Sequence, residues 1–292
     1  MDSTPLRSRV VTLPSAPSTP GAPAAAPFIK WAGGKSRLIA QYADHFPAEF
    51  GTYHEPFLGG GAVFFHLAPD RAVLSDINPR LIEAYQAVAD SPDAVMERLD
   101  AHRRRHSEEH YTQSRRRMNE GQTRTLVDRA ALFIYLNKTC FNGLYRENRR
   151  GDFNVPIGSY PNPTLYEREN LIAVARRLAG ASIQQASFDA VLESAQEGDL
   201  VYFDPPYFPA SKTASFTNYA AGGFEVDLQI KLAKVFAELA RRGCFVMLSN
   251  SDVPAMHELY AGWRLVTVSA ARCINSSGAK RGPVGELLVK SW

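Results

Sequence analysis

The sequence predicts an α/β protein. A Rossmann-like sheet of mostly parallel strands, with helices on both faces, is interrupted by a mainly helical insertion bearing a β-hairpin. Three observations predict it. Short apolar runs alternate with helix-length periodic segments in the first and last thirds of the chain. A glycine turn, Gly59-Gly60-Gly61, and an acidic residue, Asp204, each follow an apolar run, where parallel sheets place their ligands. Between these, the chain turns helical and strongly basic.

The elements follow in chain order. Residues 1–27 are rich in Pro, Ala, Ser and Thr and read as a disordered tail, because such a composition buries too little surface to offset ordering. The tail contains Arg7 and Arg9 but no continuous apolar stretch of the secretory type. Thr52–Phe57 reads as a strand entering the glycine turn, and Ala62–Leu67 as the start of a helix. Ala72–Ser75 is a second strand, closed by Asp76. From about Pro79 to Asn137 the pattern is helical, with Leu81, Ile82, Tyr85 and Val88 on one stripe. A polar stretch, 101–124, precedes a second apolar helix at Ala130–Leu136. Phe141–Tyr160 is dense in Asn, Gly, Arg and Pro, and the alternation Phe153-Asn154-Val155 suggests a hairpin. Leu200–Phe203 is a buried-type strand ending at Asp204. Val226–Arg242 carries apolar residues at helical spacing, with Gly243 placed as a C-terminal cap. Cys244–Leu248 is a further strand, and Leu265–Ser269 with Leu287–Val289 suggests a final antiparallel pair. The expected division is therefore a tail (1–27), a sheet domain (28–76 and 165–292) and an insertion (77–164).

The 292 residues are 45% hydrophobic and 22% charged, which excludes a wholly disordered, collagen-like or disulfide-scaffold chain. No apolar run approaches the roughly 20 residues that span a bilayer. The formal net charge of +3 hides an uneven distribution. Residues 101–150 hold twelve Lys/Arg against five Asp/Glu, a local +7, so the remainder carries −4. Cys140, Cys244 and Cys273 form no metal-type spacing, and read as small buried residues in a reducing cytoplasm.

The strongest chemical signal is Asp204-Pro205-Pro206-Tyr207. Two prolines surrender two backbone donors and leave carbonyl acceptors. With a carboxylate and an aromatic ring, these suit a planar heterocycle carrying an exocyclic amine. Standing alone, the motif also reads as an Asx-type turn followed by a proline kink. Pro56-Phe57-Leu58-Gly59-Gly60-Gly61 has the form of a ligand-approaching turn. It is sharpened by Asp76, an acid placed to bind ribose hydroxyls or, more plainly, to cap a helix. Phe28–Lys35 lacks the Walker spacing. Its Trp31, glycine pair and Lys35 could wrap a zwitterionic small molecule or form an ordinary surface loop.

FIKWAGGK, EPFLGGGAVFF, SDIN, NKTCFNGLYREN followed by GDFNVPIGSY, and FDPPY occur here in one order. That order resembles the Dam-type family of S-adenosylmethionine-dependent DNA adenine methyltransferases, of the alpha class of amino-methyltransferases, over about residues 28–292. The resemblance implies a class I methyltransferase sheet and a cofactor site of Trp31, Lys35, Asp76 and Asp204, with Phe57, Gly59 and Phe188 in looser contact. It implies catalysis by Asp204, Pro205, Pro206 and Tyr207, with no metal. It assigns the insertion to double-stranded DNA, read within GATC. Arg146 is suited to guanine, Leu144 and Pro156 to thymine methyls, Phe141 to the vacated stack, and Asn142 or Asn148 to bases or phosphates. Lys30 and Tyr160 would add contacts. Ser159 stands where some GATC-reading members carry a basic residue.

Arg103–Arg105 and Arg115–Arg117 would meet phosphates or form solvated helix faces. Phe208–Tyr219 is a candidate lid or an ordinary surface loop. The expected protein is a cytoplasmic monomer, with room for a cognate restriction endonuclease in the same system. Two alternatives stand beside this reading. Another amino-methyltransferase, acting on cytosine, RNA or protein glutamine, is disfavoured by the Asp heading the motif and by the hairpin. A non-catalytic nucleic-acid-binding module is disfavoured by the intact cofactor and DPPY residues.

Overall fold

The computed structural model describes residues 11–12, 24–209, 226–270 and 284–292. Within the expected tail, β1 (Val11–Thr12) pairs antiparallel with β2 (Glu49–Phe50), which follows a short helix, α1 (Ile39–Tyr42). Ala26 exchanges two hydrogen bonds with the Asn170 side chain. The rest of residues 1–23 lies outside the described residues, as do 210–219 of the candidate lid, and Cys273.

The site-bearing sheet starts with β3 (Tyr53–Glu55), the glycine turn, α2 (Ala62–Leu67) and β4 (Ala72–Asp76). Four helices follow: α3 (Pro79–Asp90), α4 (Pro92–Arg104), α5 (Glu108–Asn119) and α6 (Leu126–Thr139). After the hairpin come α7 (Arg168–Leu178), β5 (Ala181–Gln185), α8 (Val191–Ser194) and β6 (Leu200–Phe203). The chain then forms α9 (Val226–Arg241), β7 (Phe245–Ser251), α10 (Pro254–Leu259), β8 (Arg264–Ala270) and β9 (Val284–Lys290).

Seven strands pair in the order β5-β4-β3-β6-β7-β9-β8. The first five are parallel, and β9 inserts antiparallel between β7 and β8. Among the five parallel strands the earliest, β3, is central. β4 and β5 extend the sheet to one side of it, and β6 and β7 to the other. The crossovers therefore diverge at β3/β6 and leave a crevice at their carboxyl ends. Both the glycine turn and Asp204 begin there.

One buried cluster joins Phe64 and Leu74 to Leu81, Tyr85, Tyr135 and Leu136, so the helices of 79–139 share a core with one sheet face. On the other side Phe203, Leu248, Phe236 and Leu239 bury together. Helix starts follow local chemistry. The Asn78 side chain accepts from the Arg80 and Leu81 amides with Pro79 in the first turn, Ser107 caps α5, and Thr125 caps α6. Gly243, at φ 85°, ends the α9 segment as its position predicts. The polar stretch 101–124 forms the end of α4 and all of α5. Its buried stripe is only Tyr111, Ser114 and Met118, too sparse to mark a helix by period. The hairpin is pinned by single bridges, Cys140 to Ile157 and Glu147 to Phe153, rather than a continuous ladder. Pro156 lacks a donor for one.

Candidate active site

The crevice opens into a cavity of about 820 Å³ lined by Trp31–Lys35, Glu55–Val63, Asp76–Asn78, Tyr145, Ala186–Phe188, Asp204–Tyr207 and Leu228. Its size falls in the range of small-molecule pockets, roughly 300–1,000 Å³. The turn out of β3 shapes one wall. Gly59 and Gly61 adopt φ of 48° and 67°, a region other residues enter only at a cost. A Cβ on Gly59 would stand 2.7 Å from the Trp31 indole, and one on Gly61 would stand 2.9 Å from the Tyr85 hydroxyl. Backbone thus fills space that a side chain would close.

Asp76 ends β4 and accepts from the Gly59 amide at 3.1 Å and the Asn78 amide at 2.9 Å. The helix cap is Asn78, so the capping alternative for Asp76 does not hold. Burial raises the Asp76 carboxyl above its ordinary range, against the backbone donors that pull it down. Phe57 and Phe188 stack 5.5 Å apart with 19° between their planes and form an aromatic wall.

Asp204 leaves β6 held by two side chains. Both carboxylate oxygens lie 2.7 Å from Lys35 Nζ, and Ser249 donates to one oxygen at 3.0 Å. Ser249 also shares a hydrogen with the Tyr202 hydroxyl at 2.9 Å. Lys35, only 4% exposed, donates to the Gly33 carbonyl at 2.7 Å and lies 3.7 Å from Glu286 on β9. The Lys35 ammonium thus meets carboxylates of the protein itself, as a buried ammonium needs a counter-charge. The amine also sits 4.8 Å from the centre of the Tyr207 ring. Beneath the pair, burial pushes both Glu55 and Glu286 upward. The proline loop is clamped from behind. Gln229 donates to the Pro206 carbonyl at 3.1 Å, Phe208 donates to Asn250 at 2.9 Å, and Ser251 donates to the Phe208 carbonyl at 2.7 Å. Of the two proline carbonyls, that of Pro206 is therefore engaged within the protein.

The arrangement presents a carboxylate, a ring and an aromatic wall around one cavity at the sheet's switch point. Residues 31–274 match the family profile described as D12 class N6 adenine-specific DNA methyltransferase. The chain belongs to this family. It is 39% identical over 270 residues to the type II methyltransferase M1.LlaDCHI of Lactococcus lactis subsp. cremoris, covering 91% of this chain and 95% of that one. Type II methyltransferase M.MjaIII of Methanocaldococcus jannaschii is 40% identical over 91% of this chain and 99% of its own. The DNA adenine methylase of Escherichia coli K12 is 38% identical over 90% of this chain and 94% of its own.

Several features of the methyltransferase were not anticipated from sequence: Ser249, Glu55, Glu286 and Gln229 around the motif, and Tyr145 in the cavity wall. The polar run Ser249-Asn250-Ser251 closing an apolar strand is the one signal that could have found some of them. The hairpin residues differ in how they are used. Phe141 and Leu144 are exposed apolar side chains, as is Ile77 beside Asp76. Arg146 is exposed and donates to the Asn154 side chain at 2.8 Å. Asn142 adopts φ of 54°, which asparagine tolerates, and Pro156 is exposed. Asn148 is committed to the hairpin's own turn: its oxygen accepts from the Arg150 and Asp152 amides and its nitrogen donates to Asp152. Lys30 Nζ lies 3.2 Å from both the Tyr160 hydroxyl and the Lys138 carbonyl, joining the loop before the cavity to the end of the hairpin. Among the arginine triplets, Arg103 pairs with Asp100 and Arg115 donates to the Val155 carbonyl. Cys140 and Cys244 are free and buried, with both thiols pushed up to about 11 by burial. Among the described residues, no helix is long and apolar enough to cross a membrane, and no group of three His, Cys, Asp or Glu could hold a metal ion.

Proposed function

We propose that the methyltransferase uses S-adenosylmethionine to methylate the adenine amine within GATC in duplex DNA. The observation that carries this reading is the carboxylate of Asp204, oriented by Ser249 and Lys35, at the mouth of the crevice beside the Tyr207 ring. The cavity fits the donor: the positive-φ glycine turn leaves room against its backbone, and Asp76 offers a carboxylate to ribose hydroxyls. Phe57 and Phe188 offer an apolar wall to the purine, and Trp31 and Lys35 also line the cavity. When bound, the cofactor supplies an activated methyl group and its own leaving group.

The chain's own residues then have a defined task. The adenine amine is a poor nucleophile because its lone pair is delocalised into the ring. Asp204 and the Pro205 carbonyl accept its two hydrogens, localise the lone pair and aim it along the transfer axis. The base must first leave the stack, at a cost of a few kcal/mol. Tyr207 stacks on the extruded ring, and exposed Phe141 occupies the gap left behind. Arg146 reads guanine, Leu144 and Pro156 meet thymine methyls, and Lys30, Asn142 and Tyr160 add contacts at the hairpin's base.

The test is transfer of tritium from labelled S-adenosylmethionine to duplexes with and without GATC. Label confined to the first supports the whole reading. Equal label in both refutes the specificity, and no label in either refutes the donor.

A further inference from the structure

Tyr145 belongs to the hairpin that carries Arg146, yet its ring forms part of the cofactor cavity wall. It stacks on Trp31, with centroids 5.4 Å apart and planes at 25°. The Trp31 indole in turn lies directly over Gly59, whose amide is bonded to Asp76. The hydroxyl of Tyr145 donates to Glu147 and lies 3.1 Å from Arg80 Nη1. That same guanidinium nitrogen reaches Glu147 Oε1 at 2.8 Å and the Gly151 carbonyl at 3.4 Å. Arg80 is in the first turn of α3, where its amide donates to Asn78 at 3.0 Å, and the Asn78 amide donates to Asp76 at 2.9 Å. Both neighbours of Arg146 in sequence are thus fastened to the walls of the cofactor cavity, one by a ring stack and both through Arg80.

We propose that Tyr145, held by Arg80, is a specificity-determining positioning residue through which occupancy of the cofactor cavity sets the placement of Arg146. The inference rests on Arg146 reading a base. A ligand filling the cavity meets Trp31, Tyr145 and Asp76 together. It thereby restricts the stack and the start of α3, and with them the backbone on both sides of Arg146. Among the described residues, the Arg146 side chain bonds only to Asn154 within the hairpin. Its placement therefore follows the hairpin, and the hairpin's placement follows the cavity. Coupling of this kind between two sites is commonly worth at least about fivefold in affinity, and it is reciprocal.

The experiment compares dissociation constants for a GATC duplex and one with the guanine replaced. Each is measured without ligand and with saturating S-adenosylhomocysteine, on the full chain and on Tyr145→Leu, Tyr145→Phe and Arg80→Lys. In the unaltered protein, S-adenosylhomocysteine should widen the ratio between the duplexes by about fivefold or more. Tyr145→Leu should lose that widening. Tyr145→Phe, which keeps the stack but not the hydroxyl bonds, and Arg80→Lys, which keeps the charge but moves the donor that meets both Tyr145 and Glu147, should show it reduced. By reciprocity, the GATC duplex should tighten S-adenosylhomocysteine binding in the unaltered protein and not in Tyr145→Leu. A variant that weakens both duplexes equally while keeping the widening has lost only a structural prop, and overturns the proposal. An unaltered protein that discriminates equally well without ligand also overturns it, but leaves the role of Arg146 standing. An unaltered protein that does not discriminate at all refutes the role of Arg146, and this inference falls with it.

Discussion

Ser249→Ala separates the architecture of the site from its chemistry. The Ser249 hydroxyl bridges Asp204 at 3.0 Å and the Tyr202 hydroxyl at 2.9 Å. Tyr202 is 0% exposed, so removing its partner strands a buried hydroxyl, at about 1–3 kcal/mol. For a chain of this size that lowers Tm by about 2–4 °C per kcal/mol. Asp204 loses one orienting donor but keeps Lys35. The kinetic loss should therefore be that of a single hydrogen bond, about 1–2 kcal/mol, or roughly 5–30-fold in kcat. Because Ser249 does not line the cavity, KM for cofactor and DNA should change little. Adding Tyr202→Phe removes the stranded hydroxyl. The double variant should regain most of the lost Tm, since deleting both partners of a buried bond is nearly neutral, but none of the kcat. The assays are thermal melting and single-turnover tritium transfer. If kcat returns together with Tm in the double variant, Ser249 merely supports the fold and the orientation argument is wrong.

Asp204→Ala should abolish transfer while duplex binding, followed by fluorescence anisotropy, survives; normal turnover would refute the mechanism. Arg146→Ala should cost about 1–3 kcal/mol of discrimination between GATC and a guanine-substituted site, read as a ratio of kcat/KM values. Gly59→Ala places a methyl group 2.7 Å from the indole of Trp31 at φ of 48°. It should weaken cofactor binding by about 1–3 kcal/mol in titration calorimetry. His102 stacks on Tyr135 and lies 3.0 Å from His110, and burial chiefly, with His110 next, lowers it to about 4. A folded pKa below the unfolded 6.5 means that the unfolded chain binds the extra proton. Stability is therefore intact above about pH 6.5 and falls as pH drops toward 4, and His102→Phe should flatten that decline in melting curves.

Most of the sheet was legible because its strands are apolar runs that end in chemistry. Leu200–Phe203 and Ala62–Leu67 were bounded to the residue. β5 was not, because it is an edge strand whose Ser182, Gln184 and Gln185 face solvent and break the apolar pattern. The motif residues could be found one by one, but their supports could not. Ser249 matters only because β7 lies beside β6, and Glu286 only because β9 inserts antiparallel against β7. Strand order is a long-range fact that no local pattern encodes. Asn148 shows the converse: its type suggests a contact with bases or phosphates, and only the structure adds that its hydrogen bonds close the turn beside Arg146.

The same long-range order explains how one carboxylate near three others is made fit for its task. Glu55, Glu286 and Asp204 converge on Lys35, while Asp76 stands across the cavity. One ammonium cannot neutralise three carboxylates, two of them buried, so the charge has to be allocated. Glu55 and Glu286 are 3% and 4% exposed, and burial drives both toward the neutral form. The Asp204 side chain is 20% exposed, borders the cavity and has Lys35 at 2.7 Å, against 3.7 Å for Glu286. The shorter ion pair therefore falls to the carboxylate that borders the cavity. An ionised carboxylate only accepts hydrogen bonds, whereas a protonated one can offer an O–H to a group that is itself a donor. An amine that must be held by its two hydrogens needs the former. On the proposed reading, Lys35 and Ser249, both remote from the motif in sequence, hold Asp204 in place for that task.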